Sequence, residues 1–389
     1  MQDPTNLALL RDLASTLHAA GEHAQALEVL DRIDALSGEP SSGAALRGQV
    51  LLALGRWDDA QALFESARQQ QPESAALAFN LAYALWASEK DGARAIELFA
   101  DAVRLEPDNP RFRYYLALAL EASGDANAAR QALEKAIEID PGHLDALAML
   151  GHLALGGGDL SAASAFAGRC VAAQPTRADG WQLKGQVALF QLDAAAAAKS
   201  LRQALDLAPD DVDTRVSLAQ AALMQGRARH ARELLLKAVV QDPSHDGALS
   251  MLGWACAAEN DAPAAASAFE RARTSNPENP DAWAGSACIS LANGQKESAL
   301  QWADRALAVD PTHAIASLVK ARIAELDDRV VDARAIVEAV LRSAPGQPLG
   351  ASFGQTVANA AASPGVKRMQ RRFTRQLRGA PAAGTPSNS

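Results

Sequence analysis

The chain has 389 residues, 49% of them hydrophobic but only 5% aromatic, and a formal net charge of −9. Much of the apolar content is alanine, which favours closely packed helices and leaves little of the β-branched and aromatic material that strands use. Three cysteines, Cys170, Cys256 and Cys288, are too few and too dispersed for a disulfide framework, and none forms a C-x-x-C pair.

Residues 1–6 read as a short lead without a basic residue, and Arg11 and Asp12 interrupt the first apolar run, so no secretory signal is expected. No stretch reaches 18 uninterrupted apolar residues, so no membrane-spanning helix is expected and the cytoplasm is the expected compartment. From Leu7 onward the chain is periodic. Proline returns every 34 residues at Pro107, Pro141, Pro175, Pro209, Pro243, Pro277, Pro311 and Pro345, with Pro72 one residue out of step. A fixed period of this length marks an array of supersecondary units, each burying its apolar face against its neighbours. Ten units are read, beginning near Leu7, Ser41, Ala75, Pro110, Leu144, Ala178, Val212, Asp246, Pro280 and Ala314. In the first, Pro40 is displaced, and the third carries an extra residue around Lys90-Asp91-Gly92.

The unit from Leu144 to Arg177 shows what each contains. Leu147, Leu150, Gly151 and Ala154 share one helical face, Gly156-Gly157-Gly158 breaks the helix, and Ala163, Ala167 and Cys170 mark a second stripe before Pro175. The reading is a helical hairpin. Its closing proline ends the second helix, because it has no backbone donor and pushes the residue before it out of the α region. Small residues at Ala117, Gly151, Gly185, Ala219, Gly253 and Ala287 let the two helices of a hairpin approach closely.

The frame stops at Pro345. Residues 346–363 read as a loose connector rich in Gly, Ala and Ser, and 379–389 as a disordered tail. Between them, over 364–378, Val366, Met369, Phe373 and Leu377 share a helical stripe among Lys367, Arg368, Arg371, Arg372, Arg375 and Arg378. That spacing predicts a basic amphipathic helix, with a solvated, disordered end as the competing reading. No acidic residue follows Gly346, so a body of net −15 carries a tail of +6.

The recurring order of a large residue, Leu-Gly, Ala with a large residue four later, then Pro is clear at Leu249, Leu252, Gly253, Ala265, Phe269 and Pro277. Over residues 7–345 it resembles the tetratricopeptide repeat. The resemblance implies an all-α fold, a right-handed α-solenoid superhelix of about ten hairpins whose inner groove is lined by the first helices. It implies groove positions two, five, six, nine and twelve residues into each unit. In the third to fifth units these include Phe79, Asn80, Tyr83, Trp86, Tyr114, Tyr115, Leu118, Met149 and His152. In the sixth to eighth they include Gln186, Leu189, Gln220, Leu223, Met251 and Trp254.

A clamp for an acidic peptide C-terminus needs Lys and Arg paired with Asn. Here Asn80, Arg111 and Arg322 each stand alone in their hairpins. The expected ligand is therefore a peptide or amphipathic helix with apolar anchors, and possible self-association at an uncovered last repeat is a further reading. For Phe79, Trp86 and Tyr115 the bland alternative is that they fill space between helices.

Other constellations reduce to structure. His143, His245 and His313 recur two residues after a proline, too far apart to share a metal, and read as turn or cap residues. The triple glycine lacks a preceding strand and a following Lys-Ser or Lys-Thr, so it reads as a turn, and Asp210-Asp211-Val212-Asp213 lacks the glycine of a calcium loop. No catalytic set can be assembled, and no enzyme, metal or cofactor is expected. The function read from the sequence is a chaperone-like adaptor or scaffold, from a GC-rich bacterial genome by its alanine and arginine usage. The alternative is a targeting module whose basic tail contacts an anionic membrane or nucleic acid.

Overall fold

The computed structural model describes residues 6–37 and 44–343, with side chains through Val340. The expectations for the connector, the basic segment 364–378 and the tail lie outside the described residues. Within them the chain forms twenty α-helices and no strand. No described helix is long and apolar enough to cross a membrane.

The helices fall in two compact units, residues 1–153 and 154–389. In the first, α1 (Leu7–Ala19) precedes α2 (His23–Ser37), α3 (Ala44–Ala53) precedes α4 (Trp57–Gln70), α5 (Ala75–Ala87) precedes α6 (Gly92–Leu105), and α7 (Pro110–Ala122) precedes α8 (Ala126–Ile139). The unit boundary falls inside α9 (Leu144–Gly156). The second unit continues with α10 (Leu160–Ala173), α11 (Ala178–Phe190), α12 (Ala194–Leu207), α13 (Val212–Met224), α14 (Ala228–Gln241) and α15 (Asp246–Ala258). It ends with α16 (Ala262–Ser275), α17 (Pro280–Ala292), α18 (Lys296–Val309), α19 (Ala314–Leu326) and α20 (Val330–Ser343). These are ten consecutive helix pairs, and every first helix except α3 begins where the sequence places the start of a unit.

Each pair turns on one left-handed residue just past its first helix. Six are glycines, Gly21, Gly55, Gly124, Gly158, Gly226 and Gly294, and four are not: Glu89, Leu192, Asn260 and Asp328, with φ between 56° and 63°. The left-handed residue lets the next N–H reach back to a helix carbonyl that would otherwise have no partner, as Asp125 N–H does to Leu120 at 2.9 Å and Asp193 N–H to Ala188 at 2.9 Å. Asp91, Asp125, Asp159, Asp193 and Asp261 then cap the second helices by accepting from backbone N–H groups. The extra residue of the third unit falls in this turn, since α6 starts three residues after Glu89 whereas α8 starts two after Gly124.

The repeat prolines gain a second role. After each helix ends, the proline carbonyl needs a donor, and the side chain six residues on supplies it in four units. Trp181 Nε1 donates to Pro175 at 2.9 Å and Trp283 Nε1 to Pro277 at 2.8 Å. Arg113 does so to Pro107 at 3.0 Å, and Arg215 to Pro209.

In most hairpins a small first-helix residue faces a larger one from the second, whereas the fifth and ninth carry Ala167 and Ala303 at the second-helix place. Gly253 packs on Phe269, where an added Cβ would lie 2.6 Å from the ring, and Gly48 and Gly185 stand in the same relation to Phe64 and Leu201. Ala82, Ala117 and Ala219 are fully buried at the equivalent place, as are Phe99, Leu133 and Leu235. The first unit's core gathers round Phe64 and Phe99, the second's round Leu201, Leu235 and Phe269.

Leu192 carries a β-carbon yet is held in a glycine-like left-handed conformation, and the residue is 46% exposed. Replacing it by Gly should stabilise the chain by about 0.5–1 kcal/mol, because relief of left-handed strain outweighs the added unfolded-state entropy. Gly226→Ala should cost about 1 kcal/mol. Chemical unfolding midpoints moving in opposite directions would bear this out, and a lower midpoint for Leu192→Gly would contradict it.

Candidate partner-binding surface

In the first unit the candidate residues come together around Phe79. Helix α5 carries Phe79, Tyr83 and Trp86 at helical spacing, and α7 carries Phe112, Tyr114 and Tyr115. The Phe79 ring lies 4.9 Å from Phe112, 5.1 Å from Tyr115 and 5.6 Å from Phe99. From this root the rings continue outward, with Trp86 and Tyr83 6.1 Å apart, Tyr83 and Tyr115 5.7 Å, and Tyr115 and Tyr114 5.5 Å. Phe79 is buried, whereas Asn80, Tyr83, Trp86, Tyr114, Tyr115, Leu118 and Met149 are half-buried and His152 is exposed. The guanidinium of Arg111 covers the Phe79 ring at 5.0 Å and Tyr115 at 5.7 Å. It is engaged by aromatic faces rather than standing alone.

The second unit is different. Gln186, Gln220 and Met251 are half-buried, but Leu189 and Leu223 are buried and Trp254 is only 2% exposed. Trp254 packs edge-on against Phe269 at 5.0 Å, which makes it part of the core at its groove position. Arg322 donates to Glu325 on its own helix. Cys288, at the same place in α17 as Trp254 in α15, is so enclosed that burial pushes its thiol up to about 12. Burial likewise raises Cys170 and Cys256.

The periodic histidines cap helices, as their place after the proline suggests. His245 Nδ1 accepts from Ala248 N–H at 3.1 Å while Nε2 faces Asp213 at 3.0 Å, and His313 repeats the arrangement with Ala316 and Asp281. Each ring therefore stitches a hairpin to the one before it. His143 caps Ala146 in the same way, but the residue 32 positions earlier is Arg111, and its ring lies 5.5 Å from Tyr114 instead.

Sequence reasoning missed two groupings. Phe99 and Phe112 complete the first unit's aromatic root, and their hydrophobic-face positions carry the signal. In the second unit Arg273 lies 5.0 Å from Trp283 and 4.6 Å from Trp302, with Arg305 5.7 Å from Trp283. Burial lowers the Arg273 pKa, and no regular spacing announces this cluster.

Tetratricopeptide repeat models match residues 46–92 and 89–143, and 120–187 and 257–323. The cytochrome c-type biogenesis protein H TPR domain matches residues 169–275. Among solved structures, the chain is similar to the APC/C hetero-tetramer Cut9-Hcn1, at 15% identity over 91% of this chain and 78% of that one, with a TM-score of 0.57. It is also similar to a tetratricopeptide repeat protein from Parabacteroides merdae, at 16% identity over 60% of this chain and 92% of that one, with a TM-score of 0.52. At these identities the likeness is one of fold. No curated protein matches the chain.

Burial separates the two kinds of aromatic residue. Trp254→Ala should cost about 3–5 kcal/mol, whereas Tyr114→Ala should cost about 1 kcal/mol or less. Comparable losses in denaturant unfolding would contradict the assignment. At pH 8 the native chain's Cys288 should resist a thiol-specific disulfide reagent until the chain unfolds, and rapid labelling of the folded chain would show it to be accessible.

Proposed function

The chain belongs to the tetratricopeptide repeat family, and from that premise we propose that it holds a peptide or helix of a protein partner by apolar anchors, without catalysis of its own. An array of such hairpins is a scaffold for protein–protein interaction. The observation that carries the finer reading is the run of half-buried rings Trp86, Tyr83, Tyr115 and Tyr114 on the first helices of the first unit. Aromatic rings with a polar tip dominate binding energy where they are rooted in a packed base, because little side-chain entropy remains to be lost on contact. Phe79 provides that root, in van der Waals reach of the rings above it.

Selecting peptides from a displayed library against the full chain tests the proposal. Enriched sequences should carry aromatic or aliphatic anchors, and a Tyr83→Ala, Tyr114→Ala variant with wild-type helicity should bind them at least tenfold more weakly. Undiminished binding by that variant would defeat the reading. The variant avoids Trp254, whose burial would confound binding with folding.

A second reading rests on residues 346–389, which contain six basic residues and no acidic one. In it the tail contacts an anionic membrane or nucleic acid while the repeats recruit a protein. Such binding weakens steeply with salt. It should vanish on deletion of residues 364–389, and its persistence would exclude the tail. The cytoplasmic location is part of the same proposal, and cell fractionation tests it.

A further inference from the structure

We infer that the segment received by the aromatic face of α5 and α7 is a cationic amphipathic helix, which rests on the reading of that face as the binding surface. The first argument is charge. Residues 1–153 contain 23 acidic and 12 basic residues, a net charge of −11. Helix α5 itself has no charged side chain, so its face is apolar, but exposed carboxylates stand at both ends of the two helices. Glu73 and Asp108 lie before α5 and α7, while Glu89 and Glu121 lie at their far ends; the cations at these ends, Lys90 and Arg113, are engaged by Asp58 and by the Pro107 carbonyl.

The second argument is what the rings already do. Arg111 rests its guanidinium on Phe79 and Tyr115, so the face holds one cation by its π surfaces. Tyr83, Trp86 and Tyr114 remain half-buried beside it. A partner's Lys or Arg stems can lie along these rings with their charged ends directed to the carboxylates at the margins.

The third argument is spacing. The steps from Trp86 to Tyr83, Tyr115 and Tyr114 are 6.1, 5.7 and 5.5 Å. Residues four apart on a helix rise by roughly 6 Å, so a pair of anchors at i and i+4 of a partner helix matches one such ring-to-ring step. An acidic segment of the same apolar pattern would be repelled by the margins, and nucleic acid by the unit as a whole.

Three labelled 15-residue helical peptides with the same Leu and Phe anchors, and with Lys, Gln or Glu at all other positions, test this by fluorescence anisotropy on the full chain. At low salt the Lys peptide should bind at least tenfold more tightly than the Gln peptide, and the Glu peptide most weakly. The Lys preference should shrink at about 0.5 M salt, where screening is strong. It should also shrink in a Glu89→Gln, Glu121→Gln variant. Equal affinity for the Lys and Gln peptides, or a preference for the Glu peptide, overturns the inference and leaves the binding face standing. No binding of any peptide removes both.

Discussion

The closeness of the two helices in each hairpin governs everything else in this chain. In most hairpins it is obtained by opposing a residue with little or no side chain on the first helix to a large one on the second, and in the fifth and ninth, with Ala167 and Ala303, by small residues on both helices. Gly253 and Phe269, Gly48 and Phe64, Gly185 and Leu201 are such pairs, and the Gly253 and Gly48 pairs oppose the absence of a side chain to a full aromatic ring. Dense packing of this kind leaves no slack, so the outward positions of the first helices are held at fixed spacing. A surface built on them is ready before a partner arrives.

The two units use that scaffold differently. In the first, aromatic residues too large for the helix interface pile onto Phe79, and the upper rings stay half-buried. In the second, Leu189, Leu223 and Trp254 at such places are buried, while Gln186, Gln220 and Met251 stay half-buried and bring no aromatic ring. Room for Trp254 comes from its neighbours, because Gly253 and Gly285 both stand against the Phe269 ring that it packs upon. The same positional pattern thus gives a half-buried aromatic face in one place and core in another.

Architecture was legible in the sequence because proline and glycine act through the backbone. The proline interval marks where second helices must end, and Gly124, Gly158 and Gly226 mark turns. Turns at Glu89, Leu192 and Asp328 were not visible, since the fold imposes a left-handed residue there whatever its side chain. Groove positions could be assigned from the period, but depth could not. Whether Trp254 or Tyr83 is covered depends on contacts between residues in neighbouring hairpins, which a 34-residue frame does not encode. The same limit hid the pairing of His245 with Asp213 and the stacking of Arg111 on Phe79.

The central claim is that recognition occurs on the preformed face of α5 and α7. Amide hydrogen exchange on the full chain, with and without a saturating selected peptide, addresses it most directly. The account predicts new protection concentrated in residues 79–86 and 111–118, with the second helices α6 and α8 unchanged. Protection confined to α6 and α8, or to the second unit alone, would contradict it.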